Sequence, residues 1–124
     1  MLNVFAVFIG GGIGAMMRYL SSVVVQHFVK VNLPLVTFIV NILGCFVLGY
    51  LYVSFVEKVS CSNATKLALT VGFCGGLTTF STFSLEIFKM IQNNQFMLAL
   101  LYILLSVMLG VLAVYAGGYC ARFL

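Results

Sequence analysis

This sequence predicts an all-α membrane protein of four transmembrane helices, the third of them broken, and three observations lead there. Hydrophobic residues make up 64% of the chain and charged residues 6%, with a mean hydropathy of +1.24, which leaves too little polar surface for a water-soluble globular domain. A spanning helix takes roughly 20 apolar residues, so the 124 residues hold about four spans with little left for loops. Gly75, Gly76, Thr78 and Thr79 stand close together in the third apolar stretch. Glycine is the weakest helix former after proline and Thr is stiff at χ1, so this stretch is expected to break its helix. Spans are expected at about 2–25, 34–56, 67–90 and 96–122, forming a single transmembrane domain over 1–124 with no soluble domain attached.

The first span lacks the basic start of a signal peptide and runs well past a short hydrophobic region, so it reads as a mature helix. Gly10 and Gly14 give a GxxxG spacing, which lets another backbone approach closely. Arg18 lies roughly 24 Å along the helix from Leu2, at about 1.5 Å per residue. At that depth it either snorkels to the surface or faces water between helices.

A polar link over 26–33 carries His27 and Lys30, and Pro34 fits the first turn of the second span, where its missing N–H costs little. Asn41 is the one strongly polar side chain at mid-depth in that span. An amide in hydrocarbon wants partners, so Asn41 either ties two helices together or presents its NH2 donors to something passing through.

The second link, 57–66, contains Asn63-Ala64-Thr65, a glycosylation pattern that is also a frequent chance match. In the third span, backbone freed from a helix at Gly75 to Thr79 is expensive in hydrocarbon unless it is buried in protein or lines a cavity, so the break implies a site. Beyond it Phe80 and Phe83 are three apart on one face, flanked by Ser81, Thr82 and Ser84. Glu86 and Lys89 are spaced to pair near the membrane surface. Asn93 and Asn94 mark a tight turn, and the fourth span places Tyr102 and Ser106 on one face.

The net charge of +4 is spread over the helix ends and forms no nucleic-acid patch. With four spans, Lys58, Lys66 and Arg122 fall on the side of the N-terminus and Arg18, Lys30 and Lys89 toward the other. Excess Lys and Arg fixes orientation, so an even division permits insertion both ways up and allows an antiparallel dimer. Cys45, Cys61, Cys74 and Cys120 show no CxxC spacing and read as packing residues. With no Asp, two Glu and one His, an enzyme is hard to assemble.

Three segments, 11–19 (GGIGAMMRY), 41–46 (NILGCF) and 72–83 (GFCGGLTTFSTF), resemble in order and spacing the signatures of the small fluoride channels of the Fluc/CrcB family. The resemblance covers the whole chain. It implies a four-helix subunit of an antiparallel, dual-topology homodimer with two pores, through which fluoride leaves the bacterial cytoplasm passively across the inner membrane. By the same resemblance a structural sodium ion sits at the dimer centre on the backbone carbonyls of Gly75 and Thr78, and Phe80, Phe83 and Asn41 line the pore. Arg18 matches an arginine of the aqueous vestibule, and Tyr102 and Ser106 with Ser81 and Thr82 correspond to a polar track.

These roles make physical sense. Carbonyl oxygens are hard ligands that an alkali cation satisfies where water cannot reach. Phenylalanine is ordinarily a packing or lipid-facing residue, yet its ring edge carries partial positive charge, and two edges along a narrow path could replace part of an anion's hydration. Hydroxyl and amide donors would supply the rest. The rival is a proton-coupled exporter of the small multidrug type, which needs a titratable carboxylate deep in the bundle, whereas Glu57 and Glu86 sit toward span ends. A structural subunit without transport explains the glycines but not the break.

Overall fold

A computed structural model describes residues 1–28 and 34–124. Four helical stretches are long and apolar enough to cross a membrane, so this is a multi-pass membrane protein. They are Leu2–Phe28 (α1), Leu35–Lys58 (α2), Asn63–Gln92 and Phe96–Phe123 (α5). The third consists of α3, residues 63–77, and α4, Phe80–Gln92. Thr78 and Thr79 between them have extended backbone, while Gly75–Leu77 stay helical. The third stretch starts four residues earlier than the expected 67. Lys30 and the rest of the expected first link beyond Phe28 lie outside the described residues, up to Pro34.

Local chemistry explains the ends. Ser62 accepts a hydrogen bond from the Thr65 N–H and caps α3, and Thr79 accepts one from the Thr82 N–H and caps α4. Asn94 takes a positive φ of 58° in the turn before α5, a conformation asparagine tolerates. At the opposite end Lys58 donates to the carbonyls of Ala121 at 2.6 Å and Arg122 at 2.9 Å, satisfying the last turn of α5. Residues 52–58 and 68–74 are wound as π-helix, with the Val59 N–H reaching back to the Ser54 carbonyl at 3.1 Å.

Two close helix crossings organise the packing, α1 along α3 and α2 along α5. In the first, Gly10 and Gly14 face Gly72 and Gly76, so a GxxxG pair on each helix meets its counterpart and backbone touches backbone. A Cβ on Gly14 would run into the Phe73 carbonyl, and one on Gly76 into the Gly11 carbonyl. In the second, Gly49 lies against the Val114 carbonyl and Gly117 against that of Phe46. Met90, Ala99 and Tyr102 form a small core, with Phe38 and Phe83 packed on it. Only 11 to 22% of each span's most apolar window is buried, so the remaining apolar surface faces lipid or another chain.

Candidate functional site

Where α3 gives way to α4, α2 supplies the contact that holds the junction. Asn41 Oδ1 accepts from the Thr79 N–H at 2.8 Å, and Asn41 Nδ2 donates to the Thr79 carbonyl at 3.2 Å. Of the two roles open to Asn41, tying helices together is the one these bonds perform, and one of its two amide hydrogens remains unassigned. Gly44, one turn later on α2, leaves room for the Thr78 methyl group. Thr78 turns back on its own helix, donating from both N–H and Oγ1 to the Cys74 carbonyl at 3.0 and 2.8 Å. The Thr78 carbonyl accepts a long contact of 3.5 Å from Arg18 Nη1. Arg18 therefore reaches inward from α1 to the junction.

Two cavities flank this junction. A larger one of about 390 Å³ is lined by Asn41, Gly75, Thr78, Phe80, Phe83 and Ser106 among others, bringing together these six of the candidate pore and sodium-site residues. A smaller one of about 210 Å³ collects Arg18, Ser22, Thr37, Thr79 and Thr82. The larger cavity is mostly apolar, with hydroxyl and amide groups set among aromatic rings; the smaller carries a guanidinium. Ser81 lines neither, and its hydroxyl lies 3.3 Å from Thr79 Oγ1 on an exposed part of α4.

Phe80 and Phe83 have ring centroids 5.9 Å apart and tilted planes, but their environments differ. Phe80 is 79% exposed on this chain, whereas Phe83 packs on Tyr102 with centroids 5.0 Å apart. The Tyr102 hydroxyl donates to Glu86 Oε2 at 2.8 Å, and Thr37 Oγ1 donates to Glu86 Oε1 at 2.7 Å. Glu86 is therefore held by α2 and α5, in place of the surface pairing expected with Lys89. Sequence reasoning passed over Thr37; the available signal was its spacing, four residues before Asn41 on the same face of α2. Ser106 Oγ is buried and lacks a hydrogen-bond partner among the described residues.

Among the described residues no three His, Cys, Asp or Glu side chains come together; the oxygens the junction offers a hard cation are backbone carbonyls, the Thr78 and Thr79 hydroxyls and the Asn41 amide. Gly75 and Thr78 fit that use. Gly75 is exposed, with no atom within 4 Å of where a Cβ would stand, and the single contact to the Thr78 carbonyl is long enough to leave that oxygen acceptor capacity.

The family model for CrcB-like protein, Camphor Resistance (CrcB), matches residues 5–118. The chain belongs to the CrcB family. The CrcB match takes in every residue named above around the two cavities. Among CrcB relatives, the protein named fluoride-specific ion channel FluC from Flavobacterium psychrophilum is 42% identical over 98% of each chain. Proteins of the same name from Bacteroides fragilis and a Hydrogenobaculum species are 41% and 40% identical, over 96% and 99% of this chain and 95% and 100% of their own.

Proposed function

We propose that this chain is a fluoride-selective channel through which fluoride leaves the cytoplasm passively, lowering its toxicity in a bacterial inner membrane. The observation that carries this reading is CrcB membership with near full-length relatives, at 40 to 42% identity, named for fluoride conduction. A protein of this family is a channel and not an enzyme. Relatives so named also leave the small multidrug-type exporter without support.

The active form in this reading is an antiparallel, dual-topology homodimer of a single transmembrane domain, broken in its third span, with two pores. Supporting it are the exposed Phe80 and Gly75 beside a cavity that this chain alone does not enclose, together with cations divided evenly between the two sides. Arg18 and its polar neighbours form the vestibule that draws the anion in. From there the edges of Phe80 and Phe83 and donors from Asn41, Ser81, Thr82 and Ser106 replace water around fluoride, weakly enough for it to leave, while Tyr102, whose hydroxyl hydrogen goes to Glu86, belongs to the polar track. Chloride is too large to approach the same donors equally well. Gly75 and Thr78 carbonyls of both copies would hold the structural sodium ion, which supplies a fixed positive charge and satisfies backbone oxygens in a dry interface.

Fluoride release from vesicles holding the purified protein tests the reading, with an electrode as detector, a potassium ionophore to clamp charge and chloride-loaded vesicles as control. Fast fluoride loss without chloride loss is the expected result. Folded, sodium-loaded protein that releases no fluoride would overturn the proposal.

A further inference from the structure

We propose that Asn41 is the positioning residue that frees the Gly75 carbonyl for the cation. This inference rests on the sodium reading above and deepens it. In a continuing α-helix the Thr79 N–H would donate to the carbonyl of Gly75, four residues back. Here that N–H goes to Asn41 Oδ1 at 2.8 Å. The Thr78 N–H does not take its place, because it donates to the Cys74 carbonyl. None of the backbone hydrogen bonds described across the junction ends on Gly75. Gly75 is thus left with an acceptor on an exposed residue, beside a cavity that it shares with Asn41 and Thr78.

The alternative arrangement is close at hand. Gly75–Leu77 are already helical, and Thr79 is buried, so its N–H has no water to turn to. A buried donor without a partner is expensive, and without the Asn41 amide the nearest way to satisfy it is to extend α3 and take the Gly75 carbonyl back. Asn41 blocks this twice over, since Nδ2 also claims the Thr79 carbonyl at 3.2 Å and fixes the peptide orientation. The side chain therefore does more than donate to a passing anion. It keeps a carbonyl unpaired for a cation beside the cavity that Asn41 and Gly75 share.

The substitutions Asn41→Asp, Asn41→Leu and Asn41→Ser separate these roles. Asp keeps an oxygen for the Thr79 N–H, Leu keeps volume but offers no acceptor, and the Ser hydroxyl is one bond too short. The purified full chain is melted in sodium chloride and in N-methylglucamine chloride, and the readout is the gain in melting temperature that sodium confers. A purely structural loss lowers both melts together and leaves that gain intact. Wild type and Asn41→Asp are expected to gain stability in sodium, and Asn41→Leu and Asn41→Ser to lose the gain. A full sodium gain in either Leu or Ser overturns the inference while leaving the sodium site standing, as does its loss in folded Asp protein. No sodium gain in wild type overturns the site and the inference together.

Discussion

Asn41 on α2 grips Thr79 by both of its backbone groups, accepting from the N–H at 2.8 Å and donating to the carbonyl at 3.2 Å. Thr79 lines both cavities, so this pair belongs to the wall between the guanidinium of Arg18 and the ring of Phe80. An anion moving from one cavity to the other would pass peptide groups whose orientation is set by a single side chain. Rigidity of that kind lets a path discriminate by size, because the donors cannot relax around a larger ion.

The two phenylalanines should separate conduction from folding. Ile in place of Phe removes the electropositive ring edge while keeping apolar bulk. An edge interaction of about 1.4 kcal/mol corresponds to about tenfold in rate, so Phe80→Ile and Phe83→Ile should each slow fluoride release by about that factor. Phe80→Ile should lower the melting temperature little, because the ring is 79% exposed on the subunit and gives up only its tilted contact with Phe83. Phe83→Ile should lower it, because it loses the ring contact with Tyr102, a kind of pair worth about 0.5–1.5 kcal/mol beyond area. Unaltered release from both variants would remove the ring edges from the mechanism.

Hydropathy made the four spans legible, and Gly10 with Gly14 was legible as a contact face. Gly72 and Gly76 carry the same spacing, but inside a glycine-rich motif their low helix propensity stood out and the packing role was hidden. Tertiary contact overrode propensity: α1 lies so close that Gly75–Leu77 remain helical, and the extended residues are Thr78 and Thr79 alone. What holds them extended is an amide 38 residues away in sequence, which no local window contains. Glu86 was read with Lys89 for a similar reason. An i, i+3 spacing is visible in a sequence, whereas hydroxyls from Thr37 and Tyr102 converge on Glu86 only when α2, α4 and α5 pack together.

Those two hydroxyls lead to a prediction for Glu86→Gln. The amide retains one acceptor oxygen but presents NH2 to the other hydroxyl, so one of the two short bonds must rearrange. Loss of a hydrogen bond to a charged group costs about 1.5–3 kcal/mol, and the melting temperature should fall accordingly. Fluoride should still run down its electrochemical gradient with no imposed pH gradient. Transport that stopped altogether in folded Glu86→Gln protein would bring proton coupling through this carboxylate back into contention.

Ser106→Ala isolates a hydroxyl that the subunit does not use. Because Ser106 Oγ is buried without a partner, its removal should leave the subunit unharmed or more stable by about 1 kcal/mol. Fluoride release should nonetheless slow if the hydroxyl turns into the larger cavity that Ser106 lines. A variant that is both stabilised and fully conducting would show the hydroxyl to be incidental to the path.

The α1–α3 crossing predicts opposite outcomes for two glycines on one helix. Gly14→Ala drives a methyl into the Phe73 carbonyl and should cost more than about 2 kcal/mol or prevent folding, since overpacking against backbone has no rotamer to relieve it. Gly12 meets nothing within 4 Å, and Gly12→Ala should stabilise α1 by up to about 1 kcal/mol through helix propensity. Thermal unfolding of both purified variants checks the contrast, which fails if they behave alike.

Gly75→Ala asks what lies beyond the subunit. On this chain Gly75 is helical, exposed and clear of any atom within 4 Å of a new Cβ, so alanine should raise the stability of α3 by up to about 1 kcal/mol. Next to it, Gly76→Ala collides with the Gly11 carbonyl and should damage the subunit itself. Any defect in Gly75→Ala therefore reports on a neighbour that this chain does not contain. If a second copy crosses here around a cation, the variant should keep full helicity by circular dichroism yet shift from dimer to monomer by single-molecule photobleaching in vesicles. A variant that remained dimeric and conducted fluoride at the parent rate would place Gly75 against lipid and move the dimer centre elsewhere.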